Sequence, residues 1–319
     1  MVKRNLHRSL FFPTIDLMRK QSFSIILFYQ YVKISNPKKF RDEQFAMCTQ
    51  LGLRGRTIVA TEGVNGTLEG ETKAINKYCR EMKKDRRFRD VVFKKSVGTG
   101  KNFPRLSVKV RSELVTLGKP IKNFWKKNGR GTYMKPADLR QAIKSGEKIK
   151  IIDMRNAYET EVGNFENSAL PPMQNFRDLP KVLPQLNQFK NDKVVTVCTG
   201  GIRCEKASAY LKQKGFKNVY QLDGGIVSYM KKYPSRDFKG SLYVFDGRIT
   251  MHFDKKAEHV VVGKCALCDT PSERYVNCSN DLCHAHFICC EGCNKGLAVC
   301  GKKCETRVHV NEKVYASRI

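Results

Sequence analysis

The most constraining stretch of this chain is one in which a strand runs into a loop and the loop into a helix. Lys193–Val197 is short and apolar enough for a buried strand, and it continues without a break into Cys198-Thr199-Gly200-Gly201-Ile202-Arg203-Cys204. A helical pattern, Glu205–Lys214, follows, with Gly215 as its C-cap. Open parallel sheets place their ligands at the C-terminal ends of strands, so this loop is expected to carry chemistry. Backbone N–H groups of Thr199–Arg203 should converge on the Cys198 sulfur, and they and the helix N-terminus both favour a thiolate. Arg203 adds a positive charge, and Gly200 and Gly201 let the backbone curl with no Cβ in the way. A buried structural cysteine rarely has such surroundings, so Cys198 is the candidate nucleophile. Cys204, the next residue into the helix, is expected to point away from it, which weakens a resolving role without removing it.

The flanking sequence reads as a parallel α/β domain over residues 133–235. Pro136–Lys144 is a helix, Ile149–Asp153 a buried strand ending in an acid, Val219–Leu222 a further strand, and Asp223-Gly224-Gly225 opens a last helix. Asp153-Met154-Arg155 with Tyr158-Glu159, Gly163 and Phe165, the loop Cys198–Arg203, and the run Gly215–Ile226 together resemble the rhodanese superfamily. That resemblance implies persulfide or other thiol chemistry on Cys198, with Asp153 and Arg155 in support. The loop is C-x4-R, one residue shorter than in the related phosphatases, and a smaller loop suits a sulfane sulfur better than a phosphoryl group. Asn164 stands where the superfamily often has His.

Charge is distributed very unevenly along the 319 residues. The formal charge is +30, and residues 1–130 carry 30 basic against 10 acidic side chains. Such an excess favours a polyanionic partner, nucleic acid first. Residues 23–117 alternate strand and helix patterns: a strand at Ser24–Val32, a helix at Pro37–Leu51 with Phe40, Phe45, Met47, Cys48 and Leu51 on one face, and a strand at Arg56–Ala60. A tight turn within Glu62–Thr67 follows, then a helix from Thr72 to about Met82 and strands at Val91–Lys94 and Leu106–Leu117. The order βαββαβ is that of a ferredoxin-like or acylphosphatase-like sandwich with its helices on one face. Arg105, Lys109 and Arg111 alternate with Leu106, Val108 and Val110, so the cations share a face of the last strand and are candidates for binding RNA. Residues 118–132 read as a linker. It holds the sole tryptophan, Trp125, which more often pins a linker than stacks on a nucleotide. Residues 1–22 read as an N-terminal extension or a misplaced start, with Met18 the alternative initiator. No apolar run reaches the ~18 residues of a membrane span, and 41% hydrophobic residues spread along the chain exclude a disordered tail.

Cysteine is concentrated at the other end, with nine of thirteen from Cys265 onward. Residues 236–319 hold four close pairs: Cys265 and Cys268, Cys278 and Cys283, Cys290 and Cys293, Cys300 and Cys304. Eight thiolates suffice for two tetrahedral zinc sites, and all-cysteine sites are closed and structural. His284 and His286 are possible substitutes, Cys289 is left over, and sequential and alternate pairing remain equally open. Crowding in C-x-x-C pairs points to metal in a reducing compartment, not to a disulfide framework.

Taken together, F-Y-x-Y-V at Phe28–Val32, L-G-L-x-G-R at Leu51–Arg56, E-G-V-N-G-T at Glu62–Thr67, F-x-R-L-x-V-K at Phe103–Lys109, R-N-x-Y-E at Arg155–Glu159, F-R-D-L-P at Phe176–Pro180, C-T-G-G-I-R-C-E-K-A-S at Cys198–Ser208 and the cysteine-rich tail resemble one family. It is that of the rhodanese-domain, oxygen-dependent tRNA uridine hydroxylases, which form 5-hydroxyuridine at the wobble position. The resemblance implies a bacterial cytoplasmic enzyme that takes the tRNA anticodon stem-loop and molecular oxygen, with Cys198 essential. A sulfurtransferase that relays persulfide sulfur, and a non-catalytic tRNA-binding adaptor, are the competing readings.

Overall fold

The computed structural model describes residues 22–305, apart from 120, 122–123, 125–128, 235, 254–258, 281, 284 and 295–297. Trp125, His284 and all of the 1–22 extension but its last residue, Met18 included, therefore lie outside the described residues. The chain divides into two compact units, Met1–Leu114 and Val115–Ile319.

The first unit contains β1 (Phe23–Tyr31), α1 (Pro37–Gln50), β2 (Arg54–Ala60), β3 (Gly63–Glu71), α2 (Thr72–Lys84), β4 (Lys94–Val97) and β5 (Leu106–Val110). Its sheet has the order β4-β1-β3-β2-β5, with β1 antiparallel to both β3 and β4, and β5 parallel to β2. This is the expected acylphosphatase-like arrangement. Asn36 caps α1 by accepting from the Lys39 amide at 3.0 Å, and Pro37 sits in the first turn, where its missing N–H costs nothing. Both helices bury a stripe against one core: Phe40, Gln44 and Cys48 from α1, Ile75, Tyr78 and Met82 from α2, and Ile26, Phe28, Val59, Val64 and Leu68 from the sheet. Gln44 is tolerated there because Tyr78 donates its hydroxyl to Oε1 at 2.7 Å.

Several local expectations are corrected. Phe45 is 46% exposed, because the stripe through Phe40, Gln44 and Cys48 leaves it round the side of the helix. The Glu62–Thr67 motif is not a turn. From Gly63 onward it is β3, and its glycines serve close packing: a Cβ on Gly63 would come within 2.0 Å of the Gln30 carbonyl oxygen, and one on Gly66 within 2.7 Å of the Phe28 ring. Val91 belongs to the core and not to a strand, since the pairing with β1 begins at Lys94. The last strand ends at Val110, well short of Leu117.

The second unit begins its sheet at β6 (Thr132–Met134) and continues with α3 (Pro136–Lys144), β7 (Ile149–Asp153), α4 (Ala157–Thr160), β8 (Gly163–Phe165), α5 (Leu179–Leu186), β9 (Lys193–Val197), α6 (Ile202–Gln213), β10 (Asn218–Leu222) and α7 (Gly225–Lys232). Strands β6-β10-β9-β7 form the parallel sheet. Leu139 of α3 and Ile226, Tyr229 and Met230 of α7 pack with Ile151, Val195, Val197 and Leu222. On β9, Thr196 points the other way, toward Cys204 of α6. Because β9 lies between two strands, its residues from Val194 to Val197 are all buried, as a central parallel strand requires. Among the described residues the unit also has three small antiparallel pairs: β11 (Phe238–Gly240) with β8, β12 (Leu242–Tyr243) with β13 (Thr250–Met251), and β14 (Tyr275–Asn277) with β15 (His286–Ile288). Among the described residues no helix is long and apolar enough to cross a membrane.

Candidate functional site

Helix α6 starts at Ile202, three residues earlier than its pattern suggests, so the loop proper is Cys198–Gly201 and Arg203 already belongs to the first helical turn. Gly201 occupies the helix N-cap at φ +99°, a conformation that suits glycine. Its amide donates to the Cys198 sulfur at 3.2 Å. The loop is held from behind by the N-terminus of α7. Ile226 N–H donates to the Cys198 carbonyl at 3.0 Å and Val227 N–H to that of Thr199 at 3.1 Å. Gly225 makes this approach possible, since a Cβ there would lie 2.7 Å from the Cys198 carbonyl oxygen and from the Gly201 nitrogen. Nothing in the local pattern Asp223-Gly224-Gly225 says that the second glycine buttresses a loop more than twenty residues earlier.

Cys198 is fully buried. Burial works to raise its pKa, but the Cys204 thiol, the Arg203 guanidinium and the amides of Arg203 and Cys204 outweigh it and bring the pKa down to about 6. These groups favour the thiolate form of Cys198 over that of an ordinary thiol. The expected orientation of Cys204 is wrong: its thiol reaches back to the Cys198 sulfur, because the helix begins early enough to turn it inward. Its own pKa is pushed well above the ordinary thiol value, by burial and by that neighbour, so it stays protonated and serves as a donor.

Arg203 is held by a residue that the loop motif does not contain. Glu159, fully buried on α4, pairs with the guanidinium through both carboxylate oxygens, one of them accepting from Nη2 at 2.7 Å. Thr199 Oγ1 donates to the same carboxylate at 3.0 Å. Burial pushes the Glu159 pKa up, but Arg203 overcomes it and the net shift is downward, so the pair is ionic. A capping box places Glu159, its side chain accepting from the Asn156 amide. The Arg155–Glu159 motif contains Glu159, but neither its charge nor its spacing points to Arg203.

Asp153 and Arg155 lie one layer further back. Arg155 donates from Nε and Nη2 to the Asp153 carboxylate at 2.7–3.0 Å, from Nη1 to the Glu159 carbonyl at 3.0 Å and from Nη2 to that of Gly163 at 2.7 Å. The pair is completely buried and satisfied. It anchors the chain that carries Glu159 and touches neither Cys198 nor Arg203 by any hydrogen bond in the described residues.

The eight paired cysteines form two clusters, Cys265, Cys268, Cys290 and Cys293, and Cys278, Cys283, Cys300 and Cys304, with the four sulfurs of each within 4.8 Å of one another. First pair joins third and second joins fourth, which settles the pairing as alternate. Four thiolates at about 2.3 Å from a tetrahedral zinc stand roughly 3.8 Å apart. The Cys268–Cys290, Cys283–Cys300 and Cys300–Cys304 separations are 3.6, 3.4 and 3.7 Å, so both clusters could hold a metal ion and are compatible with zinc. His286 is not a ligand; it hydrogen-bonds the Tyr243 hydroxyl and the Asn277 side chain. Cys289 is buried outside both clusters.

In the first unit, Arg105, Lys109 and Arg111 come together with Arg56 around a cavity of ≈ 310 Å³ whose lining also includes Ile58, Phe103 and Ser107. Arg56 was missed because it lies on β2. Only the parallel pairing of β2 with β5, which sets Arg56 opposite Ser107 and Ile58 opposite Lys109, makes it their neighbour.

Three family models cover the chain in succession: the UPF0176 acylphosphatase like domain over residues 23–114, the rhodanese-like domain over 135–232 and the rhodanase C-terminal domain over 239–305. The chain is 46% identical over 287 residues to the tRNA uridine(34) hydroxylase of Aster yellows witches'-broom phytoplasma, an alignment spanning 89% of this chain and 92% of the relative. It belongs to the tRNA uridine(34) hydroxylase family. The hydroxylases of Onion yellows phytoplasma, at 44% identity over 88% of this chain and 92% of theirs, and of Cytophaga hutchinsonii, at 38% over 92% and 93%, match to nearly the same extent. The family match therefore extends over the basic first unit and the cysteine clusters as well as the thiol loop.

Proposed function

We propose that this protein hydroxylates the wobble uridine, position 34, in the anticodon stem-loop of cytoplasmic tRNA to 5-hydroxyuridine, with molecular oxygen as co-substrate and Cys198 as the reacting thiol. The observation that carries this reading is the Cys198 thiolate, stabilised by Cys204, Arg203 and the loop amides in a chain of this family. A thiolate is a soft nucleophile. Its addition to C6 of uracil opens the C5=C6 double bond and leaves an enolate whose charge resides partly on C5, the carbon to be oxidised. One atom of O2 then ends on C5 and the other leaves as water, so each turnover takes two electrons from a reductant of the thiol class. Loss of the C5 proton and expulsion of Cys198 from C6 restore the ring. Arg203, fixed by Glu159, keeps positive charge beside the sulfur throughout. Arg105, Lys109 and Arg111 bind the RNA backbone, and two zinc ions hold the cysteine-rich region in a structural role.

Mass spectrometry of nucleosides from tRNA incubated with the protein, oxygen and a dithiol tests this directly. 5-Hydroxyuridine is expected with the native chain and roughly 10³-fold less, or none, with Cys198→Ser. Undiminished product from the variant overturns the assignment.

A further inference from the structure

The basic cavity of the first unit has features that a surface for merely adding up charge does not need. Arg56, Arg105, Lys109 and Arg111 are all exposed and line one cavity of ≈ 310 Å³. None of the four forms an ion pair with a carboxylate among the described residues; Arg111 Nη1 only donates to the Val110 carbonyl at 3.1 Å. Elsewhere in the same unit cations do find partners, as Arg87 does with Asp85 and Lys84 with Glu81. Four unneutralised cations converging on one hollow repel one another unless an anion joins them. The rest of the lining is of another kind. Half-buried Ile58 and exposed Pro104 give an apolar wall backed by Phe103, which is itself only 2% exposed, and Ser107 gives a hydroxyl. Phe103 is set by the loop before β5, whose residue Asn102 is tied down by donating its amide at 2.8 Å and its side-chain N–H at 2.6 Å to buried Glu69. The wall is thus preformed rather than a mobile surface.

An apolar wall beside a cluster of cations, in a hollow near the lower limit of small-molecule pockets, matches one nucleotide: a flat base against the wall and phosphates on the cations. A duplex cannot enter, because its bases are stacked inward and only its phosphates are presented.

We infer that this cavity is a nucleotide pocket that takes an unpaired nucleotide of the RNA, with Arg56, Arg105, Lys109 and Arg111 on the adjoining phosphates and Ile58 and Pro104 against the base. The inference rests on the proposal that the substrate is tRNA, and it adds to that proposal a requirement for single-stranded RNA and a role for Arg56.

Ser107→Trp fills the hollow without changing charge, and Arg56→Gln removes one cation. Binding of the full-length protein is measured for a hairpin RNA with a seven-nucleotide loop, for a fully paired duplex of the same length, and for uridine 5′-monophosphate, each over a range of salt. Ser107→Trp is expected to weaken hairpin binding about tenfold or more while leaving duplex binding and the salt slope unchanged. Arg56→Gln is expected to flatten the slope of log affinity against log salt by about 0.7, the value for one phosphate contact on a single strand. Equal losses for hairpin and duplex, or no loss with Ser107→Trp, overturn the pocket. Tight binding of the mononucleotide that Ser107→Trp abolishes, with the hairpin unaffected, overturns it in favour of a free nucleotide site. Should Ser107→Trp fail to fold, Ile58→Ala serves the same comparison, with a several-fold hairpin-specific loss expected. Formation of 5-hydroxyuridine at saturating tRNA is followed in parallel. Hydroxylation that survives with an unchanged hairpin affinity sinks the pocket alone, whereas absence of hydroxylation by the native chain with hairpin-specific loss sinks the proposed reaction alone.

Discussion

Two regions of this molecule gather cysteines, and they differ in what is available to balance a thiolate. At Cys198 the stabilising groups are fixed parts of the fold: amides at a helix start, one guanidinium, and a neighbouring thiol that keeps its own proton. In the cysteine-rich region each cluster gathers four sulfurs within 4.8 Å, and a dication is the natural counterweight for that much developing negative charge. The loop leaves its sulfur uncommitted. A tetrahedral cluster would bind every sulfur and leave none to react. On the proposed reading cysteine is a reagent at one place and a fastener at the other, and the difference lies in whether positive charge comes from the fold or from an ion.

The largest expected effect separates the two. Stripping metal with a strong chelator is predicted to unfold the region around residues 265–305, since structural zinc sites of this size contribute about 10 kcal/mol or more, while β9 and α6 retain their hydrogen-exchange protection. Metal analysis should return two ions per chain before treatment and one after Cys278→Ser. Persistence of protection in residues 265–305 after metal loss breaks the distinction.

A smaller effect tests the loop alone. With its pKa at about 6, Cys198 gains negative charge as pH rises through that value, so its alkylation, followed by mass spectrometry of the peptide carrying Cys198, should rise with pH and level off above about pH 7. Arg203→Gln removes a charge that lowers this pKa and is predicted to move the midpoint upward, leaving the metal content untouched. An unchanged midpoint would mean that Cys204 and the amides suffice. The smallest effect concerns the buttress. Gly225→Ala places a methyl group 2.7 Å from the Cys198 carbonyl oxygen at a backbone φ of +70°, and should cost about 1–3 kcal/mol in thermal unfolding while raising the Cys198 midpoint slightly.

Legibility differed along the same lines. The ends of β9 follow directly from an apolar run bounded by polar residues, because a central parallel strand is buried on both faces, and the bounds of β7 and α3 were legible from their own apolar patterns. Glycine was a poorer guide. Gly63 and Gly66 read as a turn, yet they lie in β3, where their lack of a Cβ admits Gln30 and Phe28 from the neighbouring strand. A glycine in sequence reports only that a side chain is unwelcome; what excludes it lies elsewhere in the chain.

The sequence by itself determined the three-part architecture, the thiol loop, the eight cysteines and the basic bias of the first unit, because each depends on residues close together in the chain. Only the tertiary structure decided that Glu159 holds Arg203, that Cys204 faces Cys198, that cysteine pairs alternate between clusters and that Arg56 joins Arg105, Lys109 and Arg111. Those are contacts across sheet, loop and turn. Their energies depend on distance and burial in space, which local pattern does not encode.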